Sequence, residues 1–436
     1  MSSNVKKMGV WAATALVAGN MIGSGIYLLP SALAKLGGIG VFGWFVSAIG
    51  ALLLAFVFAD LSKMVPKVGG PYAYTKDGFG DYMGFQVAWC YWISVWVGNA
   101  AIVAGVMGYL GYIFPPLIAT PLVTFSTGVC IIWFFTLVNI YGVKEAGFVQ
   151  MVFTVLKLIP LLLIGLGGIF YFNMDNFQPF NTSGTSDIMA LSSASLLTMW
   201  AFIGVESASI PADNVENPKK TIPRATIIGT LIVVAVYFLS AIGVVSLIPI
   251  EQLANSVAPF TDATKILIGD KYGEFAGKFI AAGAVISALG ALNGWILMQG
   301  QVAYAPALDK LFPKIFGKVT KSGVPMWSVV IGSVLITALF SMNFSKSLVD
   351  QFEFMIKLAT LTALLMYLYC TVARITIALK LGQKLTKRPI IISTLAFVYV
   401  GWAIVGSGYE LIALGSLLFF LSTPIYVWLL YKQKDY

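Results

Sequence analysis

The sequence predicts an all-α polytopic membrane protein, and three observations support that prediction. Of 436 residues, 59% are hydrophobic and 10% charged, against about 45–50% apolar and roughly 25% charged in a soluble domain. A chain this long cannot hide so much apolar surface from water while showing so few charges, so lipid must be its solvent. The apolar residues fall into about twelve segments, each near the ~20 residues a helix needs to cross a bilayer. Lys and Arg gather in alternate loops, as membrane topology requires. A cytosolic enzyme, a nucleic-acid-binding protein and a disordered chain are all excluded.

In order, the segments are 9–34, 40–61, 83–113, 122–141, 149–172 and 190–212, then 225–248, 279–303, 325–343, 355–377, 389–407 and 411–431. Turn-forming residues separate them: Gly69-Gly70-Pro71, Phe114-Pro115-Pro116, Asn217-Pro218-Lys219-Lys220 and Lys321-Ser322-Gly323-Val324-Pro325. The first segment is too long for a cleavable signal peptide and lacks a small-residue cleavage site. Both tails are short.

Placing the N-terminus and the even-numbered loops on one side gives that side 20 of the 27 Lys and Arg, Lys63, Lys67, Lys76, Lys310 and Arg388 among them. The other side receives five: Lys35, Lys265, Lys271, Lys278 and Lys346. Lys157 and Lys357 fall inside segments. Both termini are thereby assigned to the cytoplasm. The net charge of +9 is then a topology signal and not a nucleic-acid footprint.

Histidine is absent, which removes His-based metal sites, general bases and pH switches. Cys90, Cys130 and Cys370 sit singly in apolar segments and read as small buried hydrophobes. Neither a cofactor nor a metal is expected. A membrane-embedded enzyme would need a nucleophile–base pair that this composition does not offer. No charged ring or repeated filter suggests a channel.

Two segments carry polar, glycine-containing interruptions: Gly19-Asn20-Met21-Ile22-Gly23-Ser24-Gly25 in the first and Phe202-Ile203-Gly204-Val205-Glu206-Ser207-Ala208-Ser209 in the sixth. They lie five segments apart, and a five-helix unit repeats with inverted topology because five is odd. Interruptions at matching positions of inverted repeats mark a transporter's midplane site. Unwound backbone is tolerated at that depth only where it lines a cavity. Free N–H groups at a half-helix start favour a carboxylate, and free carbonyls at a half-helix end favour an ammonium. An α-amino acid carries both groups on one carbon. The rival reading is that Gly23, Ser24 and Gly25 merely let helices pack closely.

Of eighteen Asp and Glu residues, Glu206 alone falls near the middle of a segment. A charge there is costly, which makes it a candidate proton carrier; the alternative is a carboxylate that caps unwound backbone. Lys157, in Val155-Leu156-Lys157-Leu158-Ile159-Pro160, needs acceptors if buried, and the first segment's freed carbonyls could supply them. There it would replace a bound sodium ion with a fixed, titratable cation. Snorkelling to the interface is the other reading for Lys157 and the favoured one for Lys357.

Gly19 to Ile26, the Gly69-Gly70-Pro71-Tyr72-Ala73-Tyr74 loop, Trp200 to Ala208 and Val215-Glu216-Asn217-Pro218-Lys219-Lys220-Thr221-Ile222-Pro223 resemble the basic amino acid/polyamine antiporters of the amino acid–polyamine–organocation superfamily. The resemblance runs in order through nearly the whole chain. It implies two inverted five-helix repeats plus two C-terminal helices, often as a homodimer, in the bacterial inner membrane. That gives units of 1–175, 176–380 and 381–436. It also implies that Ser24 and Gly25, in the turn with Ile22 and Gly23, hold the substrate carboxylate, and that backbone at Trp200 and Ile203 holds the ammonium. Trp200 and Trp295 match stacking aromatics, where an indole attracts a cation by ~1–2 kcal/mol. Asn20, Tyr91, Asn99 and Ile102 match site-lining positions, Glu206 the proton-linked glutamate and Tyr72 a cytoplasmic-side gate. Two positions depart from family members that exchange arginine. Lys157 replaces a small residue and resembles the lysine that occupies a sodium position in proton-coupled and light-chain-like amino acid permeases, and Ala359 replaces a serine near the guanidinium.

The expected function is sodium-independent transport of amino acids or amines by alternating access. The leading form is exchange of a cationic amino acid for a related amine or amino acid, with proton linkage. Proton-coupled uptake of a neutral amino acid is the alternative, and a transporter-like nutrient sensor a third reading.

Overall fold

The computed structural model describes residues 7–23, 25–141, 146–210, 212, 215–269, 271–320, 323–342 and 346–434, without side chains for 146–156, 433 and 434. Among them seventeen α-helices and several 3-10 turns make up the regular structure, and the one β feature is an isolated bridge between Met8 and Val215. The first half runs α1 (Val10–Met21), α2 (Gly25–Ala34), α3 (Ile39–Met64), α4 (Pro71–Phe79), α5 (Asp81–Ile113), α6 (Pro121–Tyr141) and α7 (Ala146–Ile169). Then come α8 (Asp187–Trp200), α9 (Pro218–Leu247), α10 (Ile250–Leu253), α11 (Pro259–Ile268) and α12 (Gly273–Leu308). The chain ends in α13 (Met326–Met342), α14 (Leu348–Lys380), α15 (Lys387–Val405), α16 (Tyr409–Phe420) and α17 (Ser422–Lys434).

Nine of the described helical stretches are long and apolar enough to cross a membrane, counting Val10–Ala34 and Tyr409–Lys432 as single stretches. The three other predicted segments fall on α7, α8 and α13, whose described apolar lengths are shorter. Helices suit this setting because each backbone group is satisfied within its own segment. Most are apolar all round, as expected where every face meets lipid or another helix.

Burial sorts the helices into an inner and an outer set. The most apolar stretch of α5 is 89% buried, against 22% for α6 and 11% for Tyr409–Lys432. α5 packs chiefly on α14 and α12, α3 on α8 and α9, and α1 on α9 and α7. Cys90 and Cys370 are buried as expected. Cys130 is not: it lies exposed on α6, because that helix sits at the periphery.

The first interruption breaks one helix into α1 and α2. The sixth segment behaves differently from the expected pair of half-helices. α8 stops at Trp200, and residues 201–210 continue as successive turns with one short 3-10 stretch, Ser207–Ser209. The cause is local. Gly204 adopts φ +113°, which an α-helix cannot accommodate. The Glu206 side chain takes the Gly204 N–H at 3.3 Å, and the Ser209 hydroxyl donates to the Glu206 carbonyl at 2.6 Å. Side chains here compete with the helical ladder for the backbone and win.

Candidate substrate-binding site

α1 ends with carbonyls that have no helical partner. Side chains from three other helices satisfy them in turn. Lys157 Nζ on α7 donates to the Gly19 carbonyl at 3.3 Å, Trp295 Nε1 on α12 to Asn20 at 3.3 Å, and Tyr237 Oη on α9 to Met21 at 2.6 Å. Tyr237 also reaches the Ala201 carbonyl at 3.2 Å, so one hydroxyl ties the two interruptions together. Gly204 brings them into contact, since a Cβ there would lie 3.3 Å from the Asn20 Cβ.

A small cavity lies where these breaks meet α5 and α12. It measures about 30 Å³ and is lined by Asn20, Met21, Gly23, Gly25, Ser94, Val95, Gly98, Ile102, Trp200, Ala201, Ile203 and Trp295. At roughly 10–15 Å³ per water, it has room for about two waters and not for an amino acid. The Trp200 indole fills the remaining space. A Cβ on either Gly25 or Gly98 would collide with that ring, so two glycines on facing helices leave the slot it occupies. The first turn of α2 opens beside the slot, and the N–H groups of a first turn have no helical acceptor.

Of the residues expected at the site, Asn20, Gly23, Gly25, Ile102, Trp200, Ile203 and Trp295 line this cavity. Ser24 lies outside the described residues. Ile22 is buried and closes α1, its N–H bonding the Ala18 carbonyl, without reaching the cavity. Asn99 turns away: its amide donates to Gln299 Oε1 at 3.0 Å, and Gln299 continues to the Val329 carbonyl at 2.8 Å. Ala359 is fully buried in α14 and does not line the cavity.

Tyr91 stands one level away from the cavity and holds Glu206. Its hydroxyl donates to Glu206 Oε1 at 2.6 Å, and Tyr367 on α14 donates to Oε2 at 2.7 Å. Two tyrosines and one backbone N–H therefore surround a buried carboxylate between α5, α14 and the turns after α8. Tyr72 lies further out, in α4, and donates to Asp309 Oδ2 at 2.6 Å, where Lys76 also binds at 2.7 Å. At the opposite end Lys35 pairs with Asp350 and Glu353 of α14, and Lys357 pairs with Glu353 at 2.6 Å.

Met21, Ser94, Val95, Gly98 and Ala201 belong to the lining but did not stand out in the sequence. Ser94 and Gly98 are four apart on one helix face, a small-residue pattern that marks close packing wherever it occurs in membrane helices. Nothing in the spacing says that the approaching group is an indole.

The whole chain can be placed among known proteins. Residues 8–430 match the model of the amino acid permease family. The cadaverine/lysine antiporter of Escherichia coli is 36% identical over 338 residues, 77% of this chain and 75% of that protein. The arginine/ornithine antiporter of Pseudomonas aeruginosa is 32% identical over 435 residues, 95% and 89% of the two chains. The putrescine transporter PotE of Haemophilus influenzae is 31% identical over 437 residues, 99% of each. This chain belongs to the amino acid permease family, as a multi-pass membrane transporter of small molecules and not an enzyme.

Proposed function

We propose that this protein is a sodium-independent exchanger of amino acids and amines that works by alternating access in the bacterial inner membrane. The observation that carries the reading is the cavity itself, a hollow between the unwound backbone that follows α1 and that which follows α8, lined by two indoles. The relatives named as antiporters of cadaverine and lysine, and of arginine and ornithine, point to cationic amino acids and their amines. In this reading twelve spans form inverted repeats over 1–175 and 176–380, with 381–436 added, and both termini are cytoplasmic.

The roles follow from the donors and acceptors available. A substrate carboxylate would meet the α2 start at Gly25, with Ser24 beside it. The ammonium would meet carbonyls at the end of α8, near Trp200 and Ile203. Trp200 and Trp295 would cover the apolar part of the ligand and attract a cationic head. Lys157 would hold the end of α1 by its fixed charge, in place of a sodium ion. Glu206 would carry the proton, and Tyr72 with Asp309 would close the cytoplasmic end. Loading requires the Trp200 indole to move, since the present cavity admits only water.

Uptake of a neutral amino acid with protons is favoured by one observation. No carboxylate is among the described residues lining the cavity, and Val95, Ile102 and Ala201 make much of it apolar. Counterflow separates the two readings. Liposomes loaded with unlabelled lysine or cadaverine should take up labelled lysine several-fold faster than empty ones. Uptake indifferent to internal substrate, but abolished by a protonophore, would replace exchange with symport.

A further inference from the structure

A second pocket lies far from the cavity, at the end of the molecule that bears the lysine-rich loops. It measures about 240 Å³ and opens between the end of α12 and the last helix, α17. Lys310, Lys314 and Lys432 line it, together with Phe312 and Trp428. The Lys432 ammonium sits 4.5 Å over the Trp428 ring. Outside the pocket Val427, Leu430 and Tyr431 of α17 are exposed, as is Leu308 at the end of α12. Ammonium groups thus stand directly beside an exposed apolar surface.

That juxtaposition has the polarity of an anionic phospholipid at the bilayer boundary. A lysine ammonium donates to phosphate oxygens, and the tryptophan belongs at headgroup depth. Basic pockets between membrane helices on the cytoplasmic side suit such headgroups. We infer that Lys310, Lys314, Lys432 and Trp428 form a binding site for the phosphodiester head of an anionic phospholipid, whose acyl chains lie along the exposed face of α17. A free phosphate would satisfy the lysines but would leave the adjoining apolar face without a partner, so the lipid is the better fit. The site goes beyond the transport reading and requires only that the lysine-rich end face the cytoplasm.

The test uses the full chain in nanodiscs of phosphatidylcholine with a minor share of phosphatidylglycerol, and native mass spectrometry reads the lipid retained. The wild type should retain phosphatidylglycerol in preference to phosphatidylcholine. A lysine near an anionic phosphate contributes on the order of fivefold, so Lys310→Gln, Lys314→Gln and Lys432→Gln together should weaken retention by roughly 100-fold. The three arginine substitutions should preserve it, and Lys432→Glu alone should reduce it should the triple glutamine variant fail to fold. Equal retention by wild type and glutamine variant, or no preference between the two lipids, would overturn the site. Complete displacement of the lipid by inorganic phosphate would overturn it in favour of a phosphate site. Loss of a dimer without loss of lipid would overturn it in favour of a contact between two copies. Counterflow in pure phosphatidylcholine vesicles should be equal in wild type and variant. A failure of transport with lipid retained would therefore count against the exchanger reading alone.

Discussion

Glu206 accepts hydrogen bonds from Tyr91, Tyr367 and the Gly204 N–H, and these tie α5 and α14 to the turns after α8. A carboxylate can only accept, whereas its protonated form must donate one O–H. Protonation therefore forces at least one tyrosine hydroxyl to turn away or reverse its bond, and an unmet buried hydrogen bond costs about 1–3 kcal/mol. In the proposed cycle, proton uptake would loosen this clamp. Glu206→Gln keeps the shape but cannot titrate, so flux through the variant should lose most of its pH dependence. A pH profile identical to that of the wild type would remove Glu206 from coupling. Asp309 is a poor rival for the role. Burial opposes its charge, but hydrogen bonds from Lys76 and Tyr72 outweigh burial and hold its carboxyl below the ordinary aspartate range. Its contribution is lost only as pH falls through that lowered value, and at neutral pH the Tyr72–Asp309 contact stays intact.

At the scale of elements, the slot for Trp200 depends on α2 and α5 approaching an indole from two sides with no Cβ between. Gly25 and Gly98 make that approach possible. Gly98→Leu should push the ring toward the cavity. Overpacking of this kind costs about 1–3 kcal/mol, which corresponds to roughly 5–150-fold in affinity. Isothermal calorimetry of the purified protein with lysine should show that loss. Unchanged affinity would mean that the indole need not sit between the two helices for substrate to bind. The same elements show why Asn99 and Ala359, expected at the site, do not line it. Asn99 is on α5 like Ser94 and Gly98, but Gln299 of α12 draws its amide to a different face. Ala359 is enclosed within the buried body of α14.

At the scale of the whole molecule, Lys157 ties α7 to the first broken helix. Tyr27 of α2 donates to the Lys157 carbonyl at 3.0 Å, while the Lys157 ammonium donates to Gly19 of α1. One residue of α7 thus touches both halves of the first broken helix. In the proposed reading, an ammonium at the end of α1 would take the place that a metal cation could otherwise fill. Replacing sodium with choline on both sides of a proteoliposome should leave exchange unchanged. A requirement for sodium would reject this role for Lys157.

The sequence by itself determined that the chain is helical and lives in lipid, where its helices are interrupted, and that a carboxylate and an ammonium fall within apolar segments. These properties reside in local composition: a run of apolar residues, a glycine or a charge is visible wherever it stands. Its likeness to the antiporters also foretold the family. Only the tertiary structure decided which carbonyls Lys157, Trp295 and Tyr237 would take, that α8 would give way to turns over residues 201–210, and that Gly98 would face an indole. Each of these depends on which faces of remote helices meet. In membrane helices apolar on every side, periodicity does not record which face turns inward. The site is the sum of such meetings, which is why its location could be read along the chain while its walls could not.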